Sequence, residues 1–206
     1  MSTVPECSEQ LFAVVDAVLA NSSTKPSPRT VLETLLTIEK RAQFLSSHSF
    51  NSFVGTWRLC FVTLRGKPHQ RAGQIIGRGF YVPQWVTLQI IYTPITETEE
   101  GSPTSPSAGQ IANQVCWGGL SVSLTGPARC EPKKNIMAFD FTRMVVTTWG
   151  KNLHHGFIRG GQVSEKNFWT EPVKAQAFFV YFLVHERILA ARGRGGGLAL
   201  WARTDP

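Results

Sequence analysis

No stretch of this 206-residue chain is apolar enough to cross a bilayer as a helix. The longest apolar run, Ala177 to Val184, falls far short of the ~20 residues such a span needs. The start, Met1 to Gln10, carries Glu6 and Glu9 and no basic residue. That is unlike a secretory signal or an organellar transit peptide. The expectation is a protein that is neither secreted nor transmembrane. Cysteine is scarce, with Cys7, Cys60, Cys116 and Cys130 and no CxxC pair. Neither a zinc knuckle nor a redox motif follows from that spacing. Free thiols in a reducing compartment are expected.

Catalytic signatures are missing too. There is no Gly-x-Ser-x-Gly elbow, as a hydrolase of that type needs. Cys7 and Cys60 lack a local thiol-enzyme signature. Gly193-Arg194-Gly195-Gly196-Gly197 invites a phosphate-loop reading, but position 198 is Leu and the Gly-Lys-Ser/Thr ending is absent. Too little chain follows for the helix whose N-terminus would hold a phosphate. A tight glycine hairpin is the better account. His154-His155 is the only His pair. Neighbours on a strand face opposite ways and chelate one metal poorly, and catalytic zinc wants three protein ligands. No catalytic residue, metal or cofactor is expected.

Acidic residues are outnumbered, 14 against 21 basic, for a net charge of +7. This leaves a polyanion, an anionic membrane, an anionic ligand or no such partner at all open. Residues Arg187, Arg192, Arg194, Trp201 and Arg203 combine charge and aromatics, as single-strand nucleic-acid surfaces do. No RRM or KH signature accompanies them, and an OB-fold would not need two leading helices. No nucleic-acid partner is expected, and an anionic lipid surface uses the same charge better.

What is present is a chain of two characters. Before residue 50, apolar residues recur at helical spacing. Leu11, Val14, Val15 and Val18 give one face, and Thr3 with Glu6 fits a capping box. Ser27-Pro28 fits the N-cap and first position of a second helix. Its stripe is Val31, Leu35, Ile38, Ala42 and Leu45, with Leu32 and Leu36 beside it. Two amphipathic helices are therefore expected in residues 1–50. They should pack on the outside or one mouth of whatever follows.

From residue 51 the period becomes two. Residues 51–63 (NSFVGTWRLCFVT) open the change, with Trp57 as the expected plug of a barrel end. A basic turn falls at 65–70, and strands at 74–82 and 85–92. A flexible loop rich in Pro, Ser and Glu is expected at 94–109. One or two strands kinked at Gly118-Gly119 follow over 111–124, then a turn at 127–134. A long strand is expected at 136–148, a weak one at 153–159, and others at 178–184, 188–192 and 198–201. About seven to nine evenly spaced strands without intervening helices predict an up-and-down β-barrel over 51–206. A barrel of about eight strands either fills with side chains or holds one small ligand. The fold class is thus mainly β, an antiparallel barrel preceded by two helices.

Three features together carry a resemblance: the two helices leading into Phe53-Val54-Gly55-Thr56-Trp57-Arg58-Leu59, the strand series, and the ending from Ile188 to Trp201. The chain resembles the plastid-lipid-associated protein (PAP)/fibrillin family of oxygenic phototrophs, which is lipocalin-like. Gly55, Trp57 and Leu59 match its first-strand pattern, and Arg192, Gly193, Gly195 and Gly196 its closing segment. Arg194 stands where many relatives have an acid. The resemblance implies non-enzymatic binding of a hydrophobic small molecule, an isoprenoid quinone, carotenoid or other lipid. It also implies peripheral association with photosynthetic membranes. The location would be the cyanobacterial cytoplasm or thylakoid surface, or a plastid for a trimmed form.

In lipocalin-like barrels a first-strand Trp lies against an Arg from the last strands, so Trp57 and Arg192 are the expected barrel-closing pair. The expected inward, ligand-facing residues are Leu59, Phe61, Tyr92, Phe139, Phe141, Phe182 and Trp201. A slip of one residue would turn any strand's set over. Two other readings stand beside this one. A filled barrel would dock on a membrane or partner through its surface. A bilin-lyase-like enzyme would draw on Asp140 or Glu186.

Overall fold

A computed structural model describes residues 4–42, 47–63, 78–95 and 107–205, with side chains from Glu9 onward. The basic turn at 65–70, residues 74–77 of the expected strand 74–82, loop positions 96–106 and Leu45 lie outside the described residues. So do the side chains of Thr3, Glu6 and Cys7.

Two helices come first, α1 (Val4–Leu19) and α2 (Pro28–Ala42). The strands are β1 (Gly55–Thr63), β2 (Gly79–Tyr81), β3 (Val86–Pro94), β4 (Ala108–Trp117), β5 (Leu120–Glu131), β6 (Ile136–Phe139), β7 (Arg143–Thr148), β8 (Lys151–Phe157), β9 (Ala177–Val184), β10 (Ile188–Gly193) and β11 (Leu198–Arg203). A third helix, α3 (Gly161–Phe168), lies between β8 and β9.

Hydrogen-bonded neighbours run β1, β3, β4, β5, β6, β9, β10, β11 and back to β1, all antiparallel. Eight strands thus close an up-and-down barrel, as the period-two pattern predicts. One strand serves two sheets. Residues Ala128 to Glu131 of β5 pair with β6, while Leu120 to Thr125 pair with β7, which in turn pairs with β8. The outer halves of β3, β4 and β5, with β7 and β8, therefore run past the barrel as a flange.

The expected long strand 136–148 is broken between β6 and β7. Asp140 N donates to Pro127 O at 3.1 Å and Thr142 N to Thr125 O at 3.0 Å. The interruption sits opposite Gly126, where any side chain would strike the Asp140 carbonyl. Proline is tolerated in a strand at such an irregularity, so β5 continues to Glu131 through the turn expected at 127–134. The helix α3 also departs from expectation. It is short, it lacks a side-chain cap, and Gly160 and Gly161 at its start take φ +86° and +55°. Nothing in that pattern announces a helix to a periodicity argument.

Two apolar layers share the barrel wall. The inner one draws on all eight barrel strands, among them Trp57, Ile90, Tyr92, Ile111, Met137 and Tyr181. The outer one joins Leu11, Val14, Val31, Leu35 and Ile38 of the helices to Phe61, Phe182, Ala190, Leu200 and Ala202. The helices therefore cover the outside of the barrel at β1, β9, β10 and β11. Their stripes are the ones the sequence predicts, and Ser27 Oγ accepts from Thr30 N at 3.1 Å as the N-cap of α2. Among the polar contacts that fasten the pair to the strands are Arg187 to Asp16, Arg192 to Glu39, and Tyr81 Oη to Pro26 O at 2.8 Å.

A candidate ligand-binding mouth and a closed end

The chain leading into β1 seals one end of the barrel. Phe50 and Phe53 are fully buried in the inner layer. Trp57 follows, also fully buried, and its indole N–H donates to Phe53 O at 2.7 Å. The Arg203 guanidinium lies over the Trp57 ring, 4.8 Å from its centroid. Trp57 and Arg203 are directly paired across β1 and β11. Arg203 is held in turn by Val54 O at 2.5 Å and the Asp205 carboxylate at 3.1 Å. Asp205 also accepts from Thr56 N at 3.0 Å. Burial pushes the Asp205 carboxyl up, but these donors and the Arg203 charge outweigh it and hold it below its ordinary value.

This clasp explains the Gly-x-Trp motif. Gly55 sits at φ +136°, and a side chain there would strike Arg203 and Asp205. The expected partner, Arg192, is elsewhere. Its guanidinium pairs with Glu39 of α2 and donates to Gly196 O in the β10–β11 hairpin. That hairpin is the tight glycine turn expected, closed by Gly193 N to Gly197 O at 2.9 Å.

Above the clasp, Tyr92 and Tyr181 meet hydroxyl to hydroxyl at 2.8 Å. Burial pushes both phenols up. Ring contacts then run from Phe53 through Tyr181 and Phe179 to Phe139 and Phe141, with Trp201 against Phe179 and Tyr181. Side chains thus occupy the barrel along its length, from Phe141 at the mouth to Phe53 at the closed end. Away from that end the inner layer is less enclosed, and Leu59, Val62, Phe141 and Phe179 are only half-buried.

Beyond them the inner layer continues onto the flange. Cross-strand partners share a face of the sheet, and faces alternate along a strand. Tyr92 pairs with Ile111, Leu88 with Val115, Val115 with Val122, and Leu124 with Met144. No register shift interrupts β3, β4, β5 or β7 in these pairings. The face that lines the barrel therefore extends through Leu88, Asn113, Val115, Val122, Leu124, Met144 and Val146, apolar but for Asn113, and every one of these is half-buried. The reverse face carries Gln89, Gln114, Ser121, Ser123, Thr125 and Thr147. Among the described residues, none of α1, α2 and α3 covers the apolar face. The first two lie on β1 and β9 to β11, and α3 is tied to the reverse face through Arg129 and Arg143. From Ile111 to Trp117 this shelf runs six residues, or about 20 Å. An uncharged, half-covered strip that leads into a barrel can hold an extended apolar chain.

The expected ligand-facing residues divide. Leu59, Tyr92, Phe139, Phe141 and Trp201 belong to the inner layer. Phe61 and Phe182 do not, and lie under the helices. The register of β1 slips between Leu59 and Phe61. The extra residue puts Cys60 and Phe61 on the outside and returns Val62 to the inside, as a β-bulge does. On β9 the inward residues are Phe179 and Tyr181, the other half of an alternation in which both faces are apolar. The shelf itself was missed. Its signal was the strict alternation of β5, Leu120, Val122 and Leu124 against Ser121, Ser123 and Thr125.

The basic patch does not form. Arg187 pairs with Asp16, Arg192 with Glu39 and Arg203 with Asp205. Arg194 donates to Ala175 O and Gln176 O, and Trp201 is buried. Burial also pushes the Cys60 thiol up to about 12 and the Cys130 thiol up to about 11. No helix among the described residues is long and apolar enough to cross a membrane.

No family model matches the chain, and no curated protein matches it. Among solved structures the chain is similar to a redesigned β-barrel, at 12% identity and a TM-score of 0.35, over 76% of this chain and 95% of that one.

Proposed function

We propose that this protein binds an extended hydrophobic small molecule, without catalysis, along the flange shelf with one end directed into the barrel mouth. A β-barrel is compatible with hydrophobic ligands. One observation carries the reading: the apolar face that lines the barrel continues, half-buried and uncharged, onto the flange. Such a face costs free energy in water at about 25 cal/mol per Å² left exposed, and a bound chain removes that cost. The shelf accounts for chain length and apolarity, whereas the resemblance to the PAP/fibrillin family suggests the class, an isoprenoid quinone, a carotenoid or another lipid. The mouth residues Leu59, Phe141 and Trp201 and the shelf residues Leu88, Val115 and Val122 are its proposed contacts. Peripheral association with a photosynthetic membrane belongs to the same reading.

Asp140 follows β6, and Glu186 lies exposed in the β9–β10 turn, so the two acids are on separate connections. A bilin-lyase-like enzyme would have to work with one of them alone.

The test is extraction of protein purified from a pigmented phototroph, followed by mass spectrometry of the extract and native mass spectrometry of the intact chain. A stoichiometric isoprenoid or acyl compound is expected. A chain of bare mass that also takes up no added quinone or carotenoid contradicts the proposal.

A further inference from the structure

The far end of the flange presents a feature that ligand binding does not use. Three connections meet there: β2 to β3, β4 to β5, and β7 to β8. Val86 pairs with Trp117, Trp117 with Leu120, and Leu120 with Thr148. This register sets Trp85, Trp117 and Trp149 in one row along the end of the sheet. All three are exposed, at 65%, 60% and 84%. Trp85 and Trp117 touch, with ring centroids 6.1 Å apart. Trp149 reaches over Gly119, where a side chain would collide with its indole.

Trp149 is also held in an unfavourable way. It takes φ +48°, followed by Gly150 at φ +75°. A two-residue turn of this kind favours Asn, Asp or Gly at the first place, and a bulky residue there is strained. A tryptophan that is strained and almost wholly in water contributes little to the fold. Its placement calls for another surface.

The charge of the flange says which surface. Residues 78–95, 107–125 and 143–159 hold Arg78, Arg143, Lys151 and Arg159 and no Asp or Glu, and with Arg143 paired to Glu165 of α3 the positive excess is carried by Arg78, Lys151 and Arg159. Lys151 follows the Trp149 turn directly. Tryptophan suits the boundary between water and lipid, since the ring is apolar and its N–H seeks a polar partner. Basic residues beside it are drawn to anionic headgroups.

We infer that this end of the flange is a peripheral docking surface for an anionic lipid bilayer, with Trp85, Trp117 and Trp149 seated at the headgroup boundary. The shelf opens onto the same end, so docking would place it against the lipid. This inference rests on and deepens the peripheral membrane association proposed above, by naming its surface, and it is separable from ligand uptake because Trp85 and Trp149 are outside the shelf face.

The test is flotation of the full chain with phosphatidylglycerol–phosphatidylcholine vesicles and with pure phosphatidylcholine vesicles. Quinone uptake in detergent-free buffer is measured on the same samples. Binding to the anionic vesicles is expected, with a marked loss at high salt. Lys151→Glu should weaken it about tenfold, and Trp85→Ser with Trp149→Ser should abolish it, while circular dichroism and quinone uptake stay unchanged. Brominated phosphatidylcholine should quench tryptophan emission in the wild type and less in the double variant. Absence of flotation, or flotation that the tryptophan changes leave intact, overturns the inference. A discrete dimer in sedimentation that the same changes dissolve also overturns it, and assigns the tip to a second copy of the chain.

Discussion

Replacing Arg203 with alanine should open the closed end of the barrel. The guanidinium lies 4.8 Å over the Trp57 ring, a contact worth about 0.5–2 kcal/mol. The change also strips the Val54 carbonyl of its donor, about 1.5–3 kcal/mol for a charged hydrogen bond. The ion pair with Asp205 adds little, because the two side chains are 30% and 31% exposed and screening leaves about 0–1 kcal/mol. Together these are worth about 2–6 kcal/mol, or a melting temperature lower by about 4–24 °C for a chain of this size. Arg192→Ala should leave the Trp57 environment alone, since Arg192 serves the α2 contact. Calorimetry measures the loss. Fluorine NMR of 5-fluorotryptophan protein, with the Trp57 signal assigned through Trp57→Phe, locates it. An Arg203→Ala protein that melts with the wild type would refute the clasp. So would a Trp57 signal that moves with Arg192→Ala and stays put with Arg203→Ala.

Gly55→Ala should disturb the same clasp, because the methyl group meets Arg203; its Trp57 signal should shift toward that of Arg203→Ala. Tyr92→Phe should cost about 1–3 kcal/mol by leaving the Tyr181 hydroxyl unpaired, and the double change with Tyr181→Phe should recover most of it; urea titration of the three variants tests this. In a Cys7→Ser background, maleimide at pH 8 should label Cys116, which is half-exposed, and spare Cys60 and Cys130 until the protein unfolds. Stability should fall as the pH drops below about 4.5. Burial pushes the Glu165 carboxyl up, but bonds from Arg143 and Thr142 outweigh it and hold it below its ordinary 4.5, and Asp205 is held below 3.8. The unfolded chain then binds more protons, so the stability these carboxylates add is present above their ordinary values and lost on the way down. Charge-neutral Glu165→Gln should shrink that acid loss in a melting series.

Much of the architecture was legible because apolar periodicity reports burial directly. The stripes of α1 and α2 and the alternating strands required a barrel with helices on it. The choice of arginine was not legible, since it rests on register. Trp201 and Arg203 lie on one face of β11, and only the pairing of β11 with β1 shows that Arg203 meets Trp57. Phe61 failed for a related reason. Alternation carries a residue inward until a bulge turns it out, and a bulge inserts no recognisable residue type here. On β9 both faces are apolar, so no pattern separates Phe182 from Tyr181. The flange escaped notice because β5 pairs with two different strands along its length, which periodicity cannot express.

The most direct test of the binding account is a titration of the purified chain with cis-parinaric acid and with a decyl-chain benzoquinone. It should be run beside Val122→Asp on the shelf face and Ser123→Asp on the reverse face. Saturable one-to-one binding is predicted for the wild type and for Ser123→Asp, with at least a tenfold loss in Val122→Asp at unchanged circular dichroism. Equal affinities in all three proteins, or saturable binding in none, would contradict the shelf as the ligand site.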